Sequence, residues 1–130
     1  RSWQPGDTVS CEMEMEPERV YAHPMVRADA GCVALRRGPI IYTFEGVDNG
    51  EDLQTLRIPR EAKIEALPYQ ADLLEGIVAL RVTGCRKKTA VNPALYAEDA
   101  APEEVVTLQA IRYYAWCNRG MTHMRVWMQE

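Results

Sequence analysis

Four cysteines, Cys11, Cys32, Cys85 and Cys117, and two histidines, His23 and His123, are the side chains best suited to hold a soft metal or to attack an electrophile. Zinc sites draw on closely spaced ligand pairs such as C-x-x-C, because two thiolates from one turn fix half of a tetrahedron. Here the cysteines stand tens of residues apart and neither histidine joins them. No metal site and no bound cofactor are therefore expected within the chain. Asp48-Asn49-Gly50-Glu51-Asp52 gathers oxygens but misses the register of a calcium loop, and reads as a solvated turn. Nucleophile elbows of the G-x-S-x-G type and glycine-rich phosphate loops are missing from the sequence, and Arg86-Lys87-Lys88 reads as a solvated basic turn.

Carboxylates come next, since glycoside cleavage needs two of them facing across a cleft. Glu12, Glu14, Glu16 and Glu18 alternate with apolar residues, which would place them about 7 Å apart along one strand face. Nothing beside them supplies the apolar pocket that raises one carboxyl pKa above the others. A water-facing strand edge accounts for them better, so no catalytic residue is assigned. Aromatics carry the one binding hypothesis. In Tyr113-Tyr114-Ala115-Trp116-Cys117, an extended backbone would put Tyr114 and Trp116 on one face, two flat rings about 7 Å apart that could stack on sugar rings. Trp116, Tyr114 and Trp3 are the candidate carbohydrate contacts. The alternative is that both faces are covered, one by a facing sheet and one by a neighbouring domain.

The elements that must position these residues follow a period of two. Val9, Cys11, Met13 and Met15 alternate with Ser10, Glu12, Glu14 and Glu16, which predicts a strand with one covered and one wet face. Cys32–Arg36 and Ile40–Phe44 read as strands separated by a Gly38-Pro39 corner, where a strand could change sheets. Leu56–Ile58 is a short strand stopped by Pro59, and Arg60–Leu67 is read as strand despite helix-favouring residue types. Ile77–Val82 is a β run closed by Gly84, and residues 92–104 a long surface loop. Val105–Cys117 is the longest strand expected and Met124–Met128 the last, with Asn118-Arg119-Gly120 as a hairpin turn between them. Seven or eight short strands with at most one short helix predict an all-β fold, an antiparallel jelly-roll-like β-sandwich forming a single domain over 1–130.

Composition narrows the partners. A formal charge of -4 and a sequence pI near 5.3 argue against nucleic acid, whose phosphates demand a basic surplus. No apolar run approaches the ~20 residues of a membrane helix. Sparse cysteines favour reduced thiols and a cytoplasmic setting. The opening Arg1-Ser2-Trp3 lacks both an initiator Met and a signal pattern, so the chain is read as a piece cut from a longer protein. A strand beginning a few residues from the cut would leave an open edge, from which homo-oligomers through strand edges are expected.

Trp3, Gly6-Asp7, Val33-Ala34-Leu35, Arg37-Gly38-Pro39, Tyr42, Glu45, Asp48-Asn49, Asp72-Leu73-Leu74, Gly76, the block Tyr113–Gly120, Met124 and Val126-Trp127 occur in an order that resembles the C-terminal end of glycoside hydrolase family 127, bacterial β-L-arabinofuranosidases and their relatives. The block from Tyr113 to Gly120 is the most specific part. Glu75 stands where a second glycine is usual, and Cys117 where a small residue is usual. The resemblance implies a parent several times longer, with an (α/α)6-barrel catalytic domain followed by β-sandwich domains. It implies retaining hydrolysis by a zinc-bound cysteine, with a glutamate as acid/base, both in the barrel. No position here matches those motifs, so no catalytic role passes to these cysteines or glutamates. The expected role is a non-catalytic C-terminal β-sandwich that packs on or supports the barrel; the rival readings are a carbohydrate-binding module and an enzyme in its own right.

Overall fold

The computed structural model describes residues 2–88 and 95–130. Among these described residues nine strands occupy Pro17–Val20 (β1), Cys32–Arg37 (β2), Ile40–Glu45 (β3), Leu56–Arg57 (β4), Ile64–Ala66 (β5), Leu80–Lys87 (β6), Glu103–Arg112 (β7), Met124–Arg125 (β8) and Met128–Gln129 (β9). Among the described residues a single-turn helix, α1, spans Gly46–Asn49, and three 3-10 turns are present besides. The fold is all-β. Pairings run from β2 to β9, β4, β6, β7 and β3, and β3 returns to β2, so the ladder closes on itself. The expected antiparallel two-layer arrangement is replaced by one mixed sheet of nine strands among the described residues. Each described pairing is antiparallel except β4 with β9, which is parallel at Arg57↔Gln129. β1 adds to β2, β5 to β6 and β8 to β3.

Every strand of the ring contributes to one apolar cluster: Val33 and Leu35, Tyr42 and Phe44, Leu56, Leu80 and Val82, Leu108 and Ala110, and Met128. Inward residues alternate along each strand because successive side chains point to opposite faces. A smaller cluster, Ile77, Ala79, Ile111 and Ala115 with Leu67, Leu73 and Leu74 against it, lies on the other side of the β6–β7 pair. That second cluster places the turn at 73–76 beside the segment that follows β7.

Several elements depart from the expected pattern, each for an identifiable reason. Residues 9–15 form no strand and are largely exposed, Met13 at 73%. The register explains why. β1 pairs Pro17 with Arg37 and Val20 with Ala34, and β2 turns at Gly38, so the chain before Pro17 has no strand opposite it. Alternation without a partner ladder does not make a strand. Gly38 (φ +57) and Pro39 form a tight two-residue turn, Arg37↔Ile40 being paired, and the arms then splay, β2 toward β9 and β3 toward β7 and β8. Glycine first in the turn supplies the positive φ such hairpins require.

β6 starts at Leu80, later than expected, and runs straight through Gly84 to Lys87. A Cβ at Gly84 would lie 2.3 Å from Leu108 Cδ1 and 2.9 Å from the Arg57 carbonyl oxygen; the glycine makes room for β4 and ends nothing. β7 begins at Glu103 and stops at Arg112, where Tyr113–Ala115 coil into a 3-10 turn. Of the loop expected over 92–104, residues 92–94 lie outside the described residues and 95–102 carry no strand. The last expected strand splits into β8 and β9, which serve different neighbours. β3 lies between β7 and β8, so Asn118–Gly120 does not close a hairpin.

Two ion-pair groups stitch the ladder. Glu130, its side chain 9% exposed, accepts from Tyr21 Oη at 2.6 Å, Arg60 Nη2 at 2.6 Å and Arg19 Nη1 at 3.3 Å. Glu103 receives both Nε and Nη2 of Arg57 at 2.6–2.9 Å. The Tyr21 hydroxyl above all, then Arg60 and Arg19 against the opposing effect of burial, hold the Glu130 carboxyl below the usual carboxylate value. Arg57 does the same for Glu103. A carboxylate depressed in the folded state stabilises it above the unfolded pKa, and that contribution disappears as pH falls through the folded pKa. Thermal midpoints are therefore expected to hold steady at neutral pH and to drop below a pH of about 4.5, with a shallower acid limb in Glu130→Gln. Superimposable acid limbs for the two proteins would contradict this.

Candidate functional site

β3 ends in Glu45, whose side chain is wholly buried, and leads directly into α1. Its carboxylate accepts the Cys117 N–H at Oε1, 2.6 Å away, and Arg119 Nη2 at Oε2, 2.5 Å away. Arg119 also grips Asp48 on α1, with Nη1 to Oδ1 at 2.9 Å and Nη2 to Oδ2. Asp48, opposed by partial burial and helped by Glu45, pushes the Arg119 guanidinium above its already high pKa. Backbone bonds reinforce the attachment: Gly46 N–H donates to the His123 carbonyl at 2.9 Å, and Val47 N–H to Thr122 Oγ1 at 3.1 Å. Asn49, also buried, donates to the carbonyls of Glu45 and Gln109 and accepts from Gln109 N–H, tying α1 to β7. The segment 113–123 is thus clamped to the β3–α1 corner at both its middle and its end.

Cys117 adopts φ +65, a left-handed conformation uncommon for a residue with a side chain. Leu74 (φ +49) and Glu75 (φ +60) are the other described non-glycine residues with positive φ. Leu74 and Glu75 border an open cleft of about 600 Å³ with Tyr114, Ala115 and Asn118. Strained backbone of this kind persists where surrounding contacts over-determine it, and it gathers at functional surfaces. Gly76 completes the turn at φ +100, where a side chain would collide with the hydroxyl end of Tyr69.

The predicted carbohydrate contacts are not brought together as a strand face. Tyr114 belongs to the 3-10 turn Tyr113–Ala115 and Trp116 caps it, so the regular 7 Å ring spacing of an extended backbone is lost. Ala115, the last residue of the turn, packs in the second apolar cluster with Ile77, Ala79 and Ile111. Tyr114 is 65% exposed and lines the cleft, its hydroxyl accepting from Arg112 Nη1 at 2.7 Å. Trp116 is 36% exposed and Trp3 59% exposed, and neither lines that cleft. The turn expected to be solvated at Asp48–Asp52 is in part a buried anchor, through Asp48 and Asn49. Cys11 is exposed and Cys32, Cys85 and Cys117 are half-buried. Among the described residues no group of three or more His, Cys, Asp or Glu side chains is placed so that it could hold a metal ion. No described helix is long and apolar enough to cross a membrane.

Glu45, Asp48 and Arg119 were not singled out by spacing, because the clamp joins residues more than seventy positions apart. They do lie in the residue series that carries the family resemblance. The glycoside hydrolase family 127 C-terminal domain model matches residues 17–129. A non-reducing end β-L-arabinofuranosidase of Bifidobacterium longum subsp. longum is 37% identical over 132 residues, covering 96% of this chain and 20% of its own. The crystal structure of a GH127 β-L-arabinofuranosidase from Geobacillus stearothermophilus T6 superposes with a TM-score of 0.85 at 48% identity, over 89% of this chain and 18% of that one. A solved GH127 β-arabinofuranosidase gives 0.75 at 31% identity, over 89% and 17%. This chain spans about a fifth of the length of these relatives. With residues 17–129 accounted for by that one model, the chain belongs to the glycoside hydrolase family 127 C-terminal domain family.

Proposed function

We propose that this chain is the non-catalytic C-terminal domain of a longer β-L-arabinofuranosidase-like glycoside hydrolase, folded as one unit and packed against an (α/α)6-barrel catalytic domain. The match of 17–129 to a C-terminal domain family, with relatives about five times longer, carries this reading. Nucleophile, acid/base and any zinc are assigned to the part of the polypeptide outside this chain. Within it, the buried Glu45 carboxylate is committed to Arg119 and a backbone N–H, a structural use. Purified chain is expected to be inactive on an aryl β-L-arabinofuranoside beside an active full-length control; turnover by the chain alone would overturn the proposal.

A second reading, a carbohydrate-binding module, draws support from Tyr114, whose exposed ring is held by Arg112 over the cleft that Glu75 and Asn118 share. A ring plus a carboxylate and an amide can meet the apolar face and the hydroxyls of a sugar. Titration with arabinan or arabinogalactan fragments, followed by Trp fluorescence, decides it: no saturable change up to millimolar ligand would retire this reading. Self-association through open strand edges is a separate expectation, contradicted by a clean monomer in light scattering at high concentration.

A further inference from the structure

On the outer flank of β3, beyond the clamp, Ile41, Tyr113, Met124, Arg125, Val126 and Trp127 line a shallow hollow of about 490 Å³. Five of the six are apolar or aromatic, and Ile41 and Tyr113 are 37% and 44% exposed. β8 ends the strand order there, pairing with β3 alone among the described residues. The floor is preorganised: Thr43 Oγ1 donates to the Arg125 carbonyl at 3.0 Å, and the Glu45–Arg119–Asp48 clamp fixes the segment between Tyr113 and Met124. An apolar hollow with a fixed floor and an open strand edge is a surface shaped for a protein partner.

From this we infer that the hollow is the seat of the catalytic part of the same polypeptide, which inserts apolar side chains between Tyr113 and Trp127. Relatives carry about four-fifths of their length outside this domain, and the domain is C-terminal in the matched family, so the covering polypeptide precedes it. Five apolar or aromatic lining residues against one cation, Arg125, favour an apolar occupant. The inference rests on the accessory-domain reading and names the face that reading requires.

A full-length polypeptide with a protease site introduced ahead of Trp3, cleaved and run on size exclusion, tests it. The wild-type halves are expected to stay associated. Ile41→Lys, a charge placed on the exposed rim, and Tyr113→Ser are expected to weaken that association at least about tenfold, while Val105→Lys, on the far end of β7, leaves it unchanged. Melting curves of the 130-residue variants show whether each still folds. Wild-type halves that separate on cleavage overturn the accessory reading itself. Wild-type halves that hold together, with Ile41→Lys and Tyr113→Ser binding as tightly, overturn the assignment of this face alone.

Discussion

Glu45→Ala is expected to lower the unfolding free energy by about 3 kcal/mol, at the lower end of what breaking a buried ion pair costs. Three losses combine. The half-buried Arg119 guanidinium keeps only Asp48, the Cys117 N–H loses its acceptor, and the strained φ of Cys117 loses the bond that holds it. Urea unfolding measures the change, read as a shift in midpoint with an unchanged slope. Glu45→Gln keeps an oxygen for Cys117 but not the charge for Arg119, so it is expected to fall between wild type and Glu45→Ala. Hydrogen exchange adds a local readout: the Cys117 amide exchanges faster in Glu45→Ala even where global stability permits protection. An Ala variant within about 0.5 kcal/mol of wild type would mean that the clamp contributes no more than a surface pair.

The second large effect lies one residue earlier. Phe44 is fully buried, opposite Ala110 of β7 and Arg125 of β8, and packs in the principal core. Phe44→Ala removes apolar area and leaves a cavity that a closed ladder cannot collapse to fill, for a cost of about 3–5 kcal/mol. Ile41→Ala on the same strand, being more than a third exposed, is expected to cost under about 1 kcal/mol. Comparable losses at the two positions would show that β3 does not present Phe44 to the core. Glu45 and Phe44 are adjacent but act on opposite sides of β3, one fixing the 113–123 segment and the other the ring.

The all-β class was legible because β2, β3 and β6 carry both an apolar face and a partner strand that uses it. Val9–Met15 shows the limit: its alternation is the most regular in the chain, yet β2 turns away at Gly38 before reaching it. Gly84 was misread as a terminator because the Leu108 side chain and the Arg57 backbone that crowd it come from strands far off in sequence. The clamp was hidden for a related reason. A carboxylate that ends one strand and a guanidinium in a distant turn have no common period, and only the fold brings them within hydrogen-bond reach. Two backbone conformations were likewise not legible from residue types alone. Glu75 sits at φ +60 and Cys117 at φ +65. Both residues occupy left-handed backbone, which a glycine would adopt without strain.

Deletion of residues 1–130 from the full-length polypeptide tests the supporting role most directly. The truncated protein, assayed on an aryl β-L-arabinofuranoside and melted beside the intact one, is expected to unfold at a lower temperature and to lose most of its turnover, because the apolar side chains that seat in the hollow would face water. A truncated enzyme with the melting temperature and turnover of the intact protein would show that the catalytic part stands without this domain, and the proposed role would fail.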